Sequence, residues 1–380
     1  MREYIDPDLF KSMNEFGAKN WNECFHCGNC TAICPLTEKN VLFPRKPIKF
    51  LQMGLKKELE ACAEPWLCYY CGECSEKCPR GANPGELMMT LRRYLTAAYD
   101  WTGLARKIYT SKKWEFALIC ILSAFVFVLF LLFHGPMPKE LTNEGGVQLN
   151  VFAPAEIIHI GDLIMAATVS IFLISNIFNM YLKIIGRDKN IKASIALYIK
   201  EFYSLAFNFV SQWKFKKCDS RNYWILHWLL MSGYVTLFVL IIGFLKWFQT
   251  DTIYPWWHPQ RMLGYYATIA LFLGTGYFVY GRIKKNKERL KHSHISDWTF
   301  LILLFLTGFT GILVHLFRIN GLPNLTYGMY VLHLMVLFPM IMIEVPFSKW
   351  SHLAYRPFAI YFSNIKKAVI NQQGAAVKSN

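Results

Sequence analysis

Charge is scarce in this chain. Of its 380 residues only 17% are Asp, Glu, Lys or Arg, 54% are hydrophobic, and the mean hydropathy is positive at +0.24. That balance does not suit a chain soluble along its whole length and points to a membrane. Strand signals are few, which excludes a β-rich architecture and leaves an all-α one. No Rossmann or flavin fingerprint occurs, so chemistry on a soluble substrate is not expected of this chain alone. Nothing resembles a cleaved signal peptide, which argues against an oxidising compartment and a disulfide framework. Acidic residues number 25 against 41 basic ones, a net charge of +16. Such an excess can mark nucleic-acid binding, but its distribution along the chain assigns it elsewhere.

Cysteine, by contrast, is strongly patterned. CFHCGNCTAICP (24–35) and CYYCGECSEKCP (68–79) both follow C-x2-C-x2-C-x3-C-P, the run that ligates [4Fe–4S] clusters in bacterial ferredoxins. Three thiolates two residues apart wrap one cube, while the fourth, beside a proline, reaches the other cluster. One cluster then takes Cys24, Cys27, Cys30 and Cys78, and its twin takes Cys68, Cys71, Cys74 and Cys34. A zinc ribbon is the rival reading, but it needs only four thiolates. Of the three remaining cysteines, Cys62, Cys120 and Cys218, Cys62 reads as a buried packing residue rather than a spare ligand.

Residues 1–112 carry both motifs. Segment 43–60 between them reads as one amphipathic helix, with Ile48, Leu51, Leu55 and Leu59 at helical spacing. Pro84 can open another helix, with Leu87, Leu91 and Leu95 on one face. From Trp114 the character changes. Six apolar runs, at about 114–134, 157–182, 223–245, 260–281, 298–317 and 327–347, are each long enough to cross about 30 Å of hydrocarbon, which makes 113–360 a six-helix transmembrane domain. Segment 193–213 is apolar too, but Lys200 and Glu201 fall in its middle, so it reads as an amphipathic helix in the membrane interface. Residues 361–380 read as a tail.

The link between spans two and three holds Lys183, Arg187, Lys189, Lys192, Lys200, Lys214, Lys216, Lys217 and Arg221. The link between spans four and five holds Arg282, Lys284, Lys285, Lys287, Arg289 and Lys291. The other links have few cations. By the positive-inside rule both termini and the clusters face the cytoplasm of an inner membrane. The excess charge then faces anionic lipid headgroups, and no nucleic-acid role is needed.

Clusters fused to a bundle need an electron acceptor at the membrane, and quinone, b-type haem or both would serve. Two axial histidines from facing helices leave haem iron without an open position, suited to electron transfer. His227 and His352 fall at matching depth on the cytoplasmic side. His159, His258, His315 and His333 fall on the outer side, whereas His134, His292 and His294 read as interfacial or solvated. His333 and His352 are 19 residues apart (352 − 333), about 28 Å along a helix, so they belong to different leaflets and two stacked haems are expected.

These features resemble known families. The N-terminal part is similar to the C subunit of heterodisulfide reductases, a helical two-cluster ferredoxin. The C-terminal part resembles the cytochrome b gamma subunit of respiratory nitrate reductase, through segment 332–357 with Pro346-Phe347-Ser348-Lys349 and His352, through Asp297-Trp298, and through Thr307-Gly308 and Thr310-Gly311. The two halves in this order resemble the family of C subunits of quinone-interacting membrane-bound oxidoreductase complexes. That resemblance implies electron traffic between menaquinone and soluble flavin and Fe–S subunits that serve adenylylsulfate reductase in sulfate respiration. It implies His227 and His352 as ligands of the cytoplasmic-side haem and His333 as one ligand of an outer haem. Two departures stand out. The family's second histidine on span three is Leu237 here, and a family spacing of about 18 residues in span six returns to one helix face at 3.6 residues per turn, whereas 19 lies about 100° off unless Pro339 or Pro346 distorts the helix. His315 is then the favoured second outer ligand, His159 the runner-up, and a single-haem protein a third option. A quinone site is expected near Trp256, Trp257, His258 and Arg318, and Glu344 is a suspect proton relay or partner of a buried cation. Alternatives are a subunit of a heterodisulfide reductase-like or sulfite-pathway complex, and an anchor that merely tethers the ferredoxin domain.

Overall fold

A computed structural model of the chain describes residues 5–37, 42–188, 191–216 and 221–378, with the side chains of 214 and 374–378 excluded. Lys189, Lys217 and Cys218 therefore lie outside the described residues, as does the side chain of Lys214. The protein is all-α, and no strand occurs among the described residues.

The N-terminal part is a set of short helices gathered round the long helix Pro84–Tyr99, which Pro84 opens as expected and whose Leu87, Leu91 and Leu95 are buried. The expected continuous helix over 43–60 is instead two, Arg45–Gln52 and Lys56–Glu60. The cause is Gly54, at φ +66°, where a Cβ would come within 2.9 Å of the Asp6 carbonyl. Leu55 N–H donates to Phe50 O and Gly54 N–H to Leu51 O, which is the Schellman closure of a helix. Ile48, Leu51 and Leu59 still share one buried core. The apolar face was real, but it is delivered in two pieces.

Among the described residues six helices are long and apolar enough to cross a membrane: Lys112–Phe133, Ala155–Gly186, Arg221–Phe248, Pro259–Lys284, Ile295–Ile319 and Pro323–Phe347. The helix Ile195–Ser211 is not among them. It packs along the C-terminal helix, where Asn364 bonds to Glu201 and Ser204, and exposes Ile195, Ile199, Phe202, Tyr203 and Val210. Such a one-sided apolar stripe suits an interfacial helix.

Span six is not one straight helix. After Pro339 it widens into a π-helical turn, Met340–Glu344, and the backbone breaks at Ser348 (φ −130°, ψ −148°) before a new helix runs from His352 to Lys378. A helix-interior proline and an inserted π turn are known causes of such kinks. The distortion that a 19-residue spacing required is therefore present. Glu344, fully buried, accepts a hydrogen bond from Lys349 N–H at 3.1 Å, which ties the two sides of the break.

The start of the segment 361–380, expected to be a tail, is structural: its Phe362, Ile365 and Val369 continue a helical stripe from Tyr355 and Ala359, buried in the same core as Leu51, Trp66 and Leu91 of the N-terminal part and Met180 and Ile184 of span two. Lys183 and Arg187 at the end of span two pair with Glu60 and Glu58, and Gly72 lies against Glu288 and Arg289 of the link between spans four and five. The cysteine motifs thus sit at the end of the bundle that carries both cationic links.

Candidate functional site

The two cysteine motifs have matching backbones. His26 and Tyr70 (φ +61° and +55°) follow the first cysteine of each by two residues, and Gly28 and Gly72 (φ +87° and +94°) follow the second cysteine by one. Each glycine starts the short helix that carries the third cysteine, Asn29–Ile33 or Glu73–Glu76. Left-handed turns at these positions swing successive thiols to one side, which an L side chain at Gly28 or Gly72 would resist.

Two pockets result. Cys24, Cys27, Cys30 and Cys78 line one, together with Phe25, Arg45 and Arg80. Cys34, Cys68, Cys71 and Cys74 line the other, with Tyr69 and Tyr70. The chain therefore exchanges the fourth cysteine of each motif, the pattern that a pair of [4Fe–4S] cubes requires. Burial raises the Cys24, Cys30, Cys71 and Cys74 thiols and pushes Cys34 up to about 11. Metal binding must then displace protons as it forms the thiolates. The first pocket faces outward, with Cys27 and Phe25 exposed, whereas Cys68 of the second is buried toward the bundle. Cys62 is buried and donates to Glu64, itself paired with Lys46 at 2.6 Å, and it lines neither pocket.

Among the histidines, His227 and His352 come together. Their ring centres are 6.4 Å apart, at 57°. Iron held at about 2 Å from each of two imidazole nitrogens sets ring centres about 6 Å apart. His227 Nδ1 bonds to Gln212 Oε1 at 2.8 Å, and His352 Nδ1 to the Lys349 carbonyl at 2.6 Å. Both rings are thereby oriented with Nε2 left for a ligand, the usual arrangement of a metal-binding histidine. Burial and the neighbouring Arg356 guanidinium hold His352 well below its ordinary value, so it is neutral.

The outer histidines are not paired in this way. His333 bonds through Nδ1 to Thr310 at 2.9 Å and lies against Gly311, where a Cβ would come within 3.2 Å of the ring. His315 turns instead to span four, where Arg261 and Tyr265 reach its ring nitrogens. His159 bonds to the Ile242 carbonyl at 2.9 Å. Among the described residues no ring contact joins His333 to His315 or His159. Of the expected quinone-site group, Trp256 and Trp257 are exposed, His258 stacks on Tyr254 at 3.9 Å, and Arg318 is buried against the Val147 and Thr250 carbonyls. Glu344 Oε1 has no hydrogen-bond partner.

Several residues at the site escaped the sequence reading. Tyr69, within the second motif, stacks on Phe215 (5.0 Å, 12°), and Phe215 meets His227 edge-on at 5.2 Å. This line of rings leads from the second pocket to the histidine pair. Arg92 and Arg356 both donate to the Cys68 carbonyl, and Arg356 lies over the Tyr69 ring at 4.4 Å. The one available sequence signal was Arg356 itself, four residues after His352 and so on the same helix face.

Comparison with known proteins agrees with the two cysteine pockets. Residues 20–82 match the family described as a 4Fe-4S dicluster domain. A protein of Archaeoglobus profundus described as like the heterodisulfide reductase C subunit is 38% identical over 102 residues, 27% of this chain and 54% of the relative. The iron-sulfur C subunit of the CoB--CoM heterodisulfide reductase of Methanopyrus kandleri is 32% identical over 87 residues, 21% and 45% of the two chains. The C subunit of the H(2):CoB-CoM heterodisulfide,ferredoxin reductase of Methanothermobacter thermautotrophicus is 33% identical over 76 residues, 20% and 41%. The chain spans about half the length of the curated relatives it matches. No solved structure matches. The chain thus carries an Fe–S electron-transfer domain. This 4Fe-4S dicluster domain is like that of heterodisulfide reductase C subunits, and among the described residues six helices are long and apolar enough to span a membrane.

Proposed function

We propose that the chain is the membrane subunit of a quinone-linked oxidoreductase complex, carrying electrons between menaquinone and cytoplasmic flavin and Fe–S subunits, with adenylylsulfate reductase as the soluble client. Haem b and the two [4Fe–4S] clusters would supply the one-electron carriers, because six-coordinate bis-histidine iron and four-thiolate cubes leave no position for a substrate. Cys34, Cys68, Cys71 and Cys74 hold the inner cluster against the bundle. Cys24, Cys27, Cys30 and Cys78 hold the outer one at the exposed pocket, where Phe25 and Arg45 meet the soluble partner. His227 and His352 hold the haem nearer the clusters through Nε2, and Tyr69 and Phe215 fill the gap to Cys68 with packed rings that exclude water. His333 serves a second haem across the bilayer, near the quinone.

The observation that carries this reading is the approach of His227 to His352, each with Nδ1 engaged, at the end of a line of rings from Cys68. The test is the visible spectrum of the purified complex, followed by addition of a menaquinol analogue. Haem bands that reduce with quinol, together with cluster signals, support the proposal. A chain that carries clusters but binds no haem would be an anchor for the dicluster domain. The names of the relatives favour a second client, a heterodisulfide reductase-type partner, and co-purification from native membranes decides between the two.

A further inference from the structure

Two arginines meet at the second cysteine pocket. Arg92, on the helix Pro84–Tyr99, donates from Nε to Pro65 O at 2.7 Å and from Nη2 to Cys68 O. Arg356, on the C-terminal helix, donates from Nε to Trp66 O at 3.2 Å and from Nη2 to Cys68 O at 2.8 Å. Two guanidinium groups thus share one backbone carbonyl. Each also lies over an aromatic ring, Arg92 over Trp66 and Arg356 over Tyr69. Among the described residues neither forms an ion pair with a carboxylate, although carboxylate partners are common elsewhere at this end, as with Lys183–Glu60 and Arg93–Glu86.

Holding two like charges side by side without an anion is costly in a site of low polarity. The missing anion has an evident place. Four thiolates on an iron–sulfur cube leave a net negative charge, and Cys68 is one of those thiolates. Its Sγ also accepts from Tyr70 N–H at 3.3 Å, so the two arginines grip the same short segment from the carbonyl side. The outward pocket is lined by Arg45 and Arg80. Arg80 is exposed and paired with Glu23 at 3.2 Å, so its own charge is largely neutralised and screened by water, and among the described residues neither arginine donates a hydrogen bond to a cysteine carbonyl there.

We propose that Arg92 and Arg356 set the redox potential of the cluster held by Cys34, Cys68, Cys71 and Cys74, raising it by stabilising the reduced, more negative state. The inference rests on the dicluster assignment and not on the haem or the quinone. The step is a one-electron reduction: the cluster gains one electron and one negative charge, and no bond or proton changes. Fixed positive charge beside the thiolates favours the side of the couple with more negative charge, in the way that net charge and hydrogen bonding tune such centres generally. Their placement on two separate helices, one in the dicluster domain and one leading from His352, makes this potential depend on how the bundle seats the domain.

The test is a potentiometric titration of the full chain in its membrane complex, with redox mediators as electron donors and electron paramagnetic resonance as the readout. Cys78→Ala, which empties the outward pocket, assigns the signals to the two clusters. Arg92→Gln and Arg356→Gln should each lower the reduced-to-oxidised ratio of the inner cluster at a fixed potential at least tenfold, equal to about 59 mV for a one-electron couple. The outer cluster should stay unchanged, whereas a haem held by His352, which Arg356 neighbours, should move in the Arg356 variant as well. Arg92→Lys and Arg356→Lys keep the charge without the planar fork, and should hold that ratio within about threefold of the parent. If a Gln variant fails to load iron, the Met variant of the same arginine, which keeps a long apolar stem over the ring without the charge, takes its place and should show the same fall. An unshifted inner cluster in the Gln variants overturns the proposal. So does a shift confined to the haem, which would give the arginines to haem carboxylates, and so does a Lys variant that falls as far as its Gln counterpart. A failure of the dicluster assignment itself would show separately, as missing iron and acid-labile sulfide in the parent chain.

Discussion

Cys34 and Cys78 each complete the pocket built by the other motif, so single substitutions should cross over. Cys78→Ala is expected to remove the cluster of the first motif, and Cys34→Ala that of the second, each lowering non-haem iron from about eight to about four per chain. Iron analysis with resonance spectra of the two variants checks this, and zinc in place of iron, or loss within the mutated motif's own pocket, would contradict the exchange. The histidines are a harsher test. If the approach of the two rings reflects one shared haem iron, as proposed, His227→Ala and His352→Ala should abolish the same haem, and His333→Ala should abolish only the other. Redox-difference spectra separate these outcomes, and whichever of His315→Ala and His159→Ala shares the His333 loss identifies the opposite ligand. The cysteines and the pair at 227 and 352 were legible because their signal is spacing or depth along one axis. Tyr69, Phe215, Arg92 and Arg356 were not, because what matters about them is contact between segments far apart in the chain. His315 shows the limit from the other direction: equal depth placed it beside His333, but depth carries no azimuth, and its ring faces Arg261 and Tyr265 on span four.

At the level of elements, the apolar runs located the six helices that are long and apolar enough to cross a membrane among the described residues, since each run of about twenty residues carries at most one charged side chain. What the pattern missed were interruptions. Gly54 divides one amphipathic stripe into two helices without disturbing its apolar face, and Phe362, Ile365 and Val369, beyond residue 360, read as part of a tail only until the surface they cover is known. Helix ends carry chemistry of their own. His294 caps span five: its Nδ1 accepts from Ser296, while its own N–H donates to Asp297. An accepting imidazole must be neutral. Burial, and then the Arg93 guanidinium with Lys349 behind it, push His294 down to about 4, against the opposing pull of Asp297. The unfolded chain, with an ordinary value of 6.5, therefore binds the proton first as pH falls, and stability drops with acidification below that value until the folded form also protonates near 4. Between pH 7 and 5.5 the loss should be about 1 kcal/mol. His294→Asn keeps a capping side chain that does not titrate, so the variant should show a smaller fall in melting temperature over the same interval. An identical fall in both proteins would assign the acid sensitivity to another group.

On the scale of the whole molecule, the cysteine domain and the bundle are packed as one body at one end. Span two, the C-terminal helix and the dicluster domain share a single apolar core. The link between spans four and five lies on the second cysteine loop, where Glu288 and Arg289 approach Gly72, and Asn83 reaches His292 at 3.5 Å. The clusters must therefore lie on the same side of the membrane as that link. Its cations, Arg282, Lys284, Lys285, Lys287, Arg289 and Lys291, form one of the two cationic links that orient the chain. Reporter fusions at Lys287 should accordingly read as cytoplasmic and fusions at Gly145, in the link between spans one and two, as external. The fold makes this measurement worth more than a topology map. A periplasmic reading at Lys287 could not be reconciled by moving one loop, because the link, the dicluster domain and the C-terminal helix would all have to cross together. The exposed pocket of Cys24, Cys27, Cys30 and Cys78 would then face away from the cytoplasm, and any soluble electron partner would have to be sought on the other side.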